Sequence, residues 1–236
     1  TVENDGWKSG ASDPDRLHRA MKQITDVIIH DIFSPPVAGR IYGYVGVAAY
    51  ETVSAGNDQY TPLAGQLHGL GPAPKPETEK QYCFELAAVE AVLKVGKALV
   101  FSEDKMDTFY NEIMEEFRST GMPDDVFERS VSFGRQMSEH IITWANDDNY
   151  KQTRSYPKYS IRDDPATWKP TPPAYMDGIE PHWNKIRTFF LDSAGQFKPE
   201  PPTQFSTEKN SQFFSEALET YTVGKSLTEE QRKIAA

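Results

Sequence analysis

Cysteine is nearly absent: Cys83 is the only one in 236 residues. That excludes an intramolecular disulfide and a cysteine-built zinc site. Cys83 lies in an apolar helical run and reads as a buried, inert thiol. Basic charge is also short, with 25 Lys and Arg against 35 Asp and Glu and a net charge of −10. Nucleic acid is therefore excluded as a partner, because a phosphate backbone wants a basic face. No apolar run reaches the roughly 20 residues of a membrane span. The longest candidate, Val37 to Ala49, is broken by Arg40 and by Gly39, Gly43 and Gly46. No signal-peptide pattern is visible, and a single cysteine does not settle the compartment.

Catalytic signatures are missing too. There is no Gly-x-Ser-x-Gly, no phosphate-binding loop and no His-Glu-x-x-His. Gly69 to Gly71 leads into prolines and is not a phosphate loop. Asn146-Asp147-Asp148-Asn149 lacks the spacing and closing Glu of a calcium loop, and reads as a helix-terminating turn. Among the five histidines, His30 shares a helix face with Asp26 four residues earlier, but no third metal ligand is identifiable, so no metal is assigned. His140 reads as an ordinary helix residue and His182 as a structural hydrogen-bonding group. His18 and His68 carry no signal.

What is present is helical periodicity. Asp13 and Pro14 open a helix running to about Phe33, with Leu17, Met21, Ile24, Ile28 and Ile32 on one side. A second follows Ser34-Pro35-Pro36 over 37–55. Its Gly39, Gly43 and Gly46 would let another helix approach. Residues 56–76 are a turn-rich connector. The strongest helix is expected over 77–101, then others from a Ser102 cap to about Ser119 and over 124–145. Ser206 or Thr207 is expected to cap an amphipathic stretch containing Phe213, Leu218 and Tyr221. Thr228 and Gln231 form a capping box for a last helix. The fold class is all-α: a bundle of six to seven helices.

Between them lies a stretch of another kind, Trp168 to Pro202. Pro170, Pro172, Pro173, Pro181, Pro199, Pro201 and Pro202 forbid a long helix or strand there. Trp168, Tyr175, Trp183, Phe189, Phe190 and Phe197 supply apolar surface that a flexible linker lacks. An ordered wrap that buries its aromatics is predicted. The chain thus divides into a bundle over 1–150, the Pro/aromatic wrap over 151–205, and helices over 206–236.

Three blocks of this sequence together resemble a known family. They are SPPVAGRIYGYVGVAAYE (Ser34 to Glu51), the W-x-P-T-P-P-A-Y run from Trp168 to Tyr175, and E-P-H-W…F-F-L-D-S-A-G-Q-F-K-P-E-P-P. They resemble the vanadium-dependent haloperoxidase-like branch of the type 2 phosphatidic acid phosphatase superfamily. SLTEEQRKIA, at Ser226 to Ala235, is similar to the helix start leading into that family's catalytic half. The family's Lys-x6-Arg-Pro, Pro-Ser-Gly-His and Arg-x5-His motifs do not occur here. The resemblance is therefore to the N-terminal half alone. It implies a scaffold half whose partner is the missing C-terminal half of the same protein, which would hold vanadate or a substrate phosphate.

The resemblance also implies a small anionic substrate and a secreted or periplasmic location, and leaves oligomerisation open. In fungal chloroperoxidase relatives, an acidic residue before a Pro-Pro pair anchors an oxyanion-binding arginine. Glu200 matches that position, with Glu in place of the expected Asp. Trp183, Arg187 and Phe197 are candidates for the pocket entrance. Halide oxidation and phosphomonoester hydrolysis both remain open for the complete protein. The alternatives are a stand-alone helical binding module and, less supported, a helical metalloenzyme built on Asp26 and His30.

Overall fold

The computed structural model describes residues 6–235, and among them there is helix and no strand. The seven expected helices are α2 (Asp15–His30), α3 (Pro35–Ser54), α4 (Phe84–Leu99), α5 (Asp104–Arg118), α6 (Asp124–Asn146), α8 (Gln212–Lys225) and α9 (Glu229–Ala235). Two short ones were not anticipated, α1 (Gly6–Ala11) and α7 (Tyr150–Thr153). Trp7 is buried and pins α1 to the core.

The chain forms two compact units. One runs to Lys158 and resumes over Gly178–Ala194; the other comprises Tyr159–Asp177 and Gly195 onward.

In the first unit α4 is the axis, packed against α2, α3, α5 and α6. Leu86 through Leu93 are buried without a break, as expected of a helix apolar all round. Gly134 of α6 lets that helix close on α4: a Cβ there would stand 2.5 Å from the Ala87 carbonyl oxygen. Helix α4 begins seven residues later than its periodicity predicts. The cause is tertiary: Cys83 N–H donates to Ser130 Oγ at 2.8 Å, and the Gln81 carbonyl accepts from Arg129 at 2.7 Å. These bonds take backbone groups that a longer helix would have used. Cys83 sits at the N-cap instead of inside the helix, and burial pushes its thiol up to about 12.

Helix α5 is likewise not capped by its own serine. Asp31, at the end of α2, accepts from Phe101 N–H (2.8 Å), Ser102 N–H (3.0 Å) and Ser102 Oγ. Burial works to raise the Asp31 pKa. The Ser102 side chain and backbone, His30 and Phe101 N–H outweigh it and hold the carboxyl well below the usual range. The adjacent Ile32 has φ of +55° and is 88% exposed, an unfavourable place for a β-branched residue.

The second unit has no buried residue among those described. Tyr159 meets Trp168 edge-on at 5.6 Å, and Phe205 packs on Phe213 at 5.1 Å. Helix α8 is capped by Ser211, whose Oγ accepts from Phe214 N–H at 3.2 Å, not by Ser206 or Thr207. Ser206 Oγ accepts from Glu208 N–H and so serves a local turn. The capping box of α9 is formed as read: Thr228 Oγ1 accepts from Gln231 N–H, and Gln231 Oε1 from Thr228 N–H. No helix is long and apolar enough to cross a membrane among the described residues.

Candidate functional site

From Trp168 to Pro202 the Pro/aromatic wrap contains no regular element beyond one 3₁₀ turn, Trp183–Lys185. Its expected burial is corrected. Only Trp183 and Phe189 pack against the core, whereas Trp168, Tyr175, Phe190 and Phe197 are 49%, 62%, 64% and 77% exposed. Phe189 and Phe190 are adjacent, and only Phe189 has a seat, against the Tyr44 and Trp144 rings. One enters the core and its neighbour cannot.

The inserted portion, residues 178–194, crosses α3 and α6 at a buried polar hub. Arg40 interrupts the apolar run of α3, and Asp148 just beyond α6 answers it. Asp148 is 1% exposed. Its Oδ2 accepts from Arg40 Nε at 2.6 Å and from Tyr44 Oη at 2.9 Å, and its Oδ1 from Tyr150 N–H at 2.8 Å. Arg40 also donates to the Ala145 carbonyl at 3.0 Å and lies over the Tyr44 and Tyr150 rings. Burial, and next the Asp148 carboxylate, push the Tyr44 phenol above its ordinary range; Arg40 and Arg187 only partly offset them.

Arg187 belongs to the same hub. Its Nη2 donates to the Trp144 carbonyl at 2.8 Å and to Tyr44 Oη at 3.2 Å, and its backbone N–H donates to the Asp148 carbonyl at 2.9 Å. Its guanidinium lies 4.8 Å from the Trp144 ring. Phe189 follows, 5.1 Å from both the Tyr44 and Trp144 rings. Gly43 makes that seat: a Cβ there would stand 2.5 Å from Phe189 Cε2. Nothing lies within 4 Å of a Cβ at Gly39 or Gly46. The small face of α3 thus admits a phenylalanine of the wrap, not another helix. His68 N–H donates to the Phe189 carbonyl, and Trp144 Nε1 donates to the His68 carbonyl, both at 2.9 Å.

The predicted site residues fall in different units. Trp183 and Arg187 lie in the first, Trp183 edge-on to Tyr150 at 6.4 Å. Phe197 and Glu200 lie in the second. Glu200 is exposed and makes no hydrogen bond or ion pair with another described residue. The hub residues Arg40, Tyr44 and Asp148 were not singled out by motif. The available signal was a charged residue four positions before a tyrosine in an apolar helix, which demands a buried partner.

These side chains do not compose a vanadate cradle. Arg40 gives its donors to Asp148 and the Ala145 carbonyl and ties α3 to the end of α6; Arg187 gives its donors to Tyr44 and the Trp144 carbonyl and holds the wrap there. Among the described residues no three His, Cys, Asp or Glu cluster; Asp26 pairs with Lys22 at 2.6 Å, and His30 turns to Asp31 and Ser102. His182 Nε2 donates to the Pro157 carbonyl at 2.7 Å, a structural hydrogen bond.

No protein-family description and no curated protein matches the chain. A solved structure does: the first bacterial vanadium-dependent iodoperoxidase, at 51% identity and a TM-score of 0.86 over 92% of this chain. The present chain spans 52% of that protein's length. By fold and by sequence identity, it is related to the vanadium haloperoxidase-like branch of the type 2 phosphatidic acid phosphatase superfamily.

Proposed function

We propose that this chain is the scaffold half of a vanadate-binding enzyme whose complete form oxidises halide, iodide included. The observation that carries this reading is the 51% identity to an iodoperoxidase, spread over 92% of the chain but only 52% of the relative. The proportions support a partner half supplying the oxyanion cradle, and vanadate would be held there. Small anions are the substrate class. A secreted or periplasmic address goes with this reading.

Within it, Glu200 anchors an arginine of the partner half. An exposed carboxylate without a partner among the described residues, set between Pro199 and Pro201, supports that role. A carboxylate can fix a guanidinium plane bidentately, and such support typically changes ligand affinity about 10–100-fold. Trp183, Arg187 and Phe197 would flank the entrance.

The test uses the complete polypeptide with orthovanadate, assayed for iodide and bromide oxidation and, without vanadate, for p-nitrophenyl phosphate hydrolysis. Halide oxidation by the complete protein and none by this chain alone is the expected result. Phosphatase activity without peroxidase activity would reassign the chemistry to phosphomonoester hydrolysis. Activity of the 236-residue chain by itself would overturn the scaffold reading. The Glu200→Gln variant should bind vanadate more weakly with the fold intact; unchanged affinity removes Glu200 from the site.

A further inference from the structure

We propose that the cleft at the C-terminal end of α3 is a binding site for a small organic cation, an amine carried on an apolar body. This cleft lies wholly within the first unit and shares no residue with the Arg187 hub. Its volume is about 790 Å³, within the range usual for small-molecule sites. Leu70, Pro72 and Pro74 line it with apolar surface. The loop that forms this wall is fixed in advance. Gly65 N–H donates to the Leu70 carbonyl at 3.0 Å, Leu67 N–H to the Leu63 carbonyl at 3.1 Å, and the prolines restrict the rest.

The polar end of the cleft is acidic. Glu51 of α3 lines it although the residue is only 2% exposed. One of its carboxylate oxygens accepts from Leu63 N–H; the other makes no hydrogen bond with a described residue. That second oxygen is not among the buried atoms left without a partner, so it is reachable from the cleft and open to a cationic group. Asp58 adds a second carboxylate and Lys75 one ammonium, so the lining has a formal net charge of −1. Tyr60 supplies an aromatic ring, 52% exposed and edge-on to Tyr50 at 6.4 Å. The Tyr50 hydroxyl donates to the Thr61 carbonyl at 2.9 Å, which fixes that neighbour. A carboxylate and an aromatic ring beside apolar walls suit an ammonium group, through ion pairing and cation–π attraction.

Three ligands of one shape separate this from nonspecific apolar binding: 2-phenylethylamine, 2-phenylethanol and 3-phenylpropionate. Each is titrated into the folded protein and followed by amide chemical shifts of residues 51–76. The amine should saturate, with shifts centred on Glu51, Asp58 and Tyr60, and bind at least about tenfold tighter than the other two. Asp58→Asn should weaken the amine several-fold, and Glu51→Gln should weaken it further. Because Glu51 also holds the loop, Asp58→Asn and Tyr60→Leu carry the test if Glu51→Gln does not fold. Equal or tighter binding of the propionate, no saturation by the amine, or an amine affinity unmoved by Asp58→Asn and Tyr60→Leu overturns the proposal. None of these outcomes bears on the vanadate reading, which involves other residues.

Discussion

Helices α4 and α8 invite comparison because their local chemistry is alike and their burial is opposite. They are 16 and 14 residues long, and each has an N-cap side chain accepting from a backbone N–H three residues on. Yet α4 has ten buried residues and α8 has none. Capping fixes where a helix starts; it does not supply the surface that makes the helix stable. Isolated helices of about 12–15 residues are marginal in water. Helix α8 therefore depends on a partner surface for stability in a way that α4 does not, and its Leu218, Tyr221 and Val223, each at least half exposed, are the surface it has to offer.

The contrast can be broken most forcefully in the first unit. Asp148→Ala leaves Arg40 buried without its carboxylate, a loss that typically costs about 3–5 kcal/mol. Urea unfolding should show a drop of that size, and a change under 1 kcal/mol would mean the hub is not structural. Gly43→Ala is next. It collides with Phe189 and should cost about 1–3 kcal/mol. Combined with Phe189→Ala the cost should be less than the sum of the two, because the collision is gone. Strict additivity would show that Phe189 does not occupy the Gly43 seat.

Asp31→Asn should be milder, about 1 kcal/mol near neutral pH, the usual net scale of a lost hydrogen bond. Its pH dependence has a definite sign. The folded carboxyl is held below its unfolded value, so its contribution is complete above the unfolded value of about 4. It is lost as pH falls through the lower, folded value. Wild-type and variant stabilities should converge below about pH 4; a gap that stays constant there would rule the charge out. The smallest effect belongs to the second unit. Leu218→Ala and Tyr221→Ala should change the stability of this chain by under about 0.5 kcal/mol. In the complete protein the same substitutions should cost more, if a partner half covers α8. A large loss in the chain alone would erase the contrast between α4 and α8.

Much of the fold was legible because its signals are local. The period of Leu17, Met21, Ile24 and Ile28 marks α2, Pro35 marks the start of α3, and Thr228 with Gln231 marks α9. Where distant groups intervene, local reading fails. The start of α4 is set by Arg129 and Ser130, and the residues leading into α5, Phe101 and Ser102, are held by Asp31 from 70 residues away in sequence. The hub was hidden for the same reason, since Arg40 and Asp148 are 108 residues apart. Trp183 and Arg187 stood out by their setting among prolines, and their contacts now show what holds that segment down. Glu200 was visible only through family resemblance, because no described neighbour marks it.

The seat of Phe189 also dictates an order of events. Tyr44, Trp144 and Gly43 must already be together before that ring has anywhere to go, so residues 178–194 can clip on only after α3 and α6 have met. Within the first unit, the same segment should open before α4 in native-state fluctuations. Hydrogen exchange would register this as a sub-global opening in which the His68 and Arg187 amides, bonded to Phe189 and Asp148, lose protection together while those of α4 keep theirs.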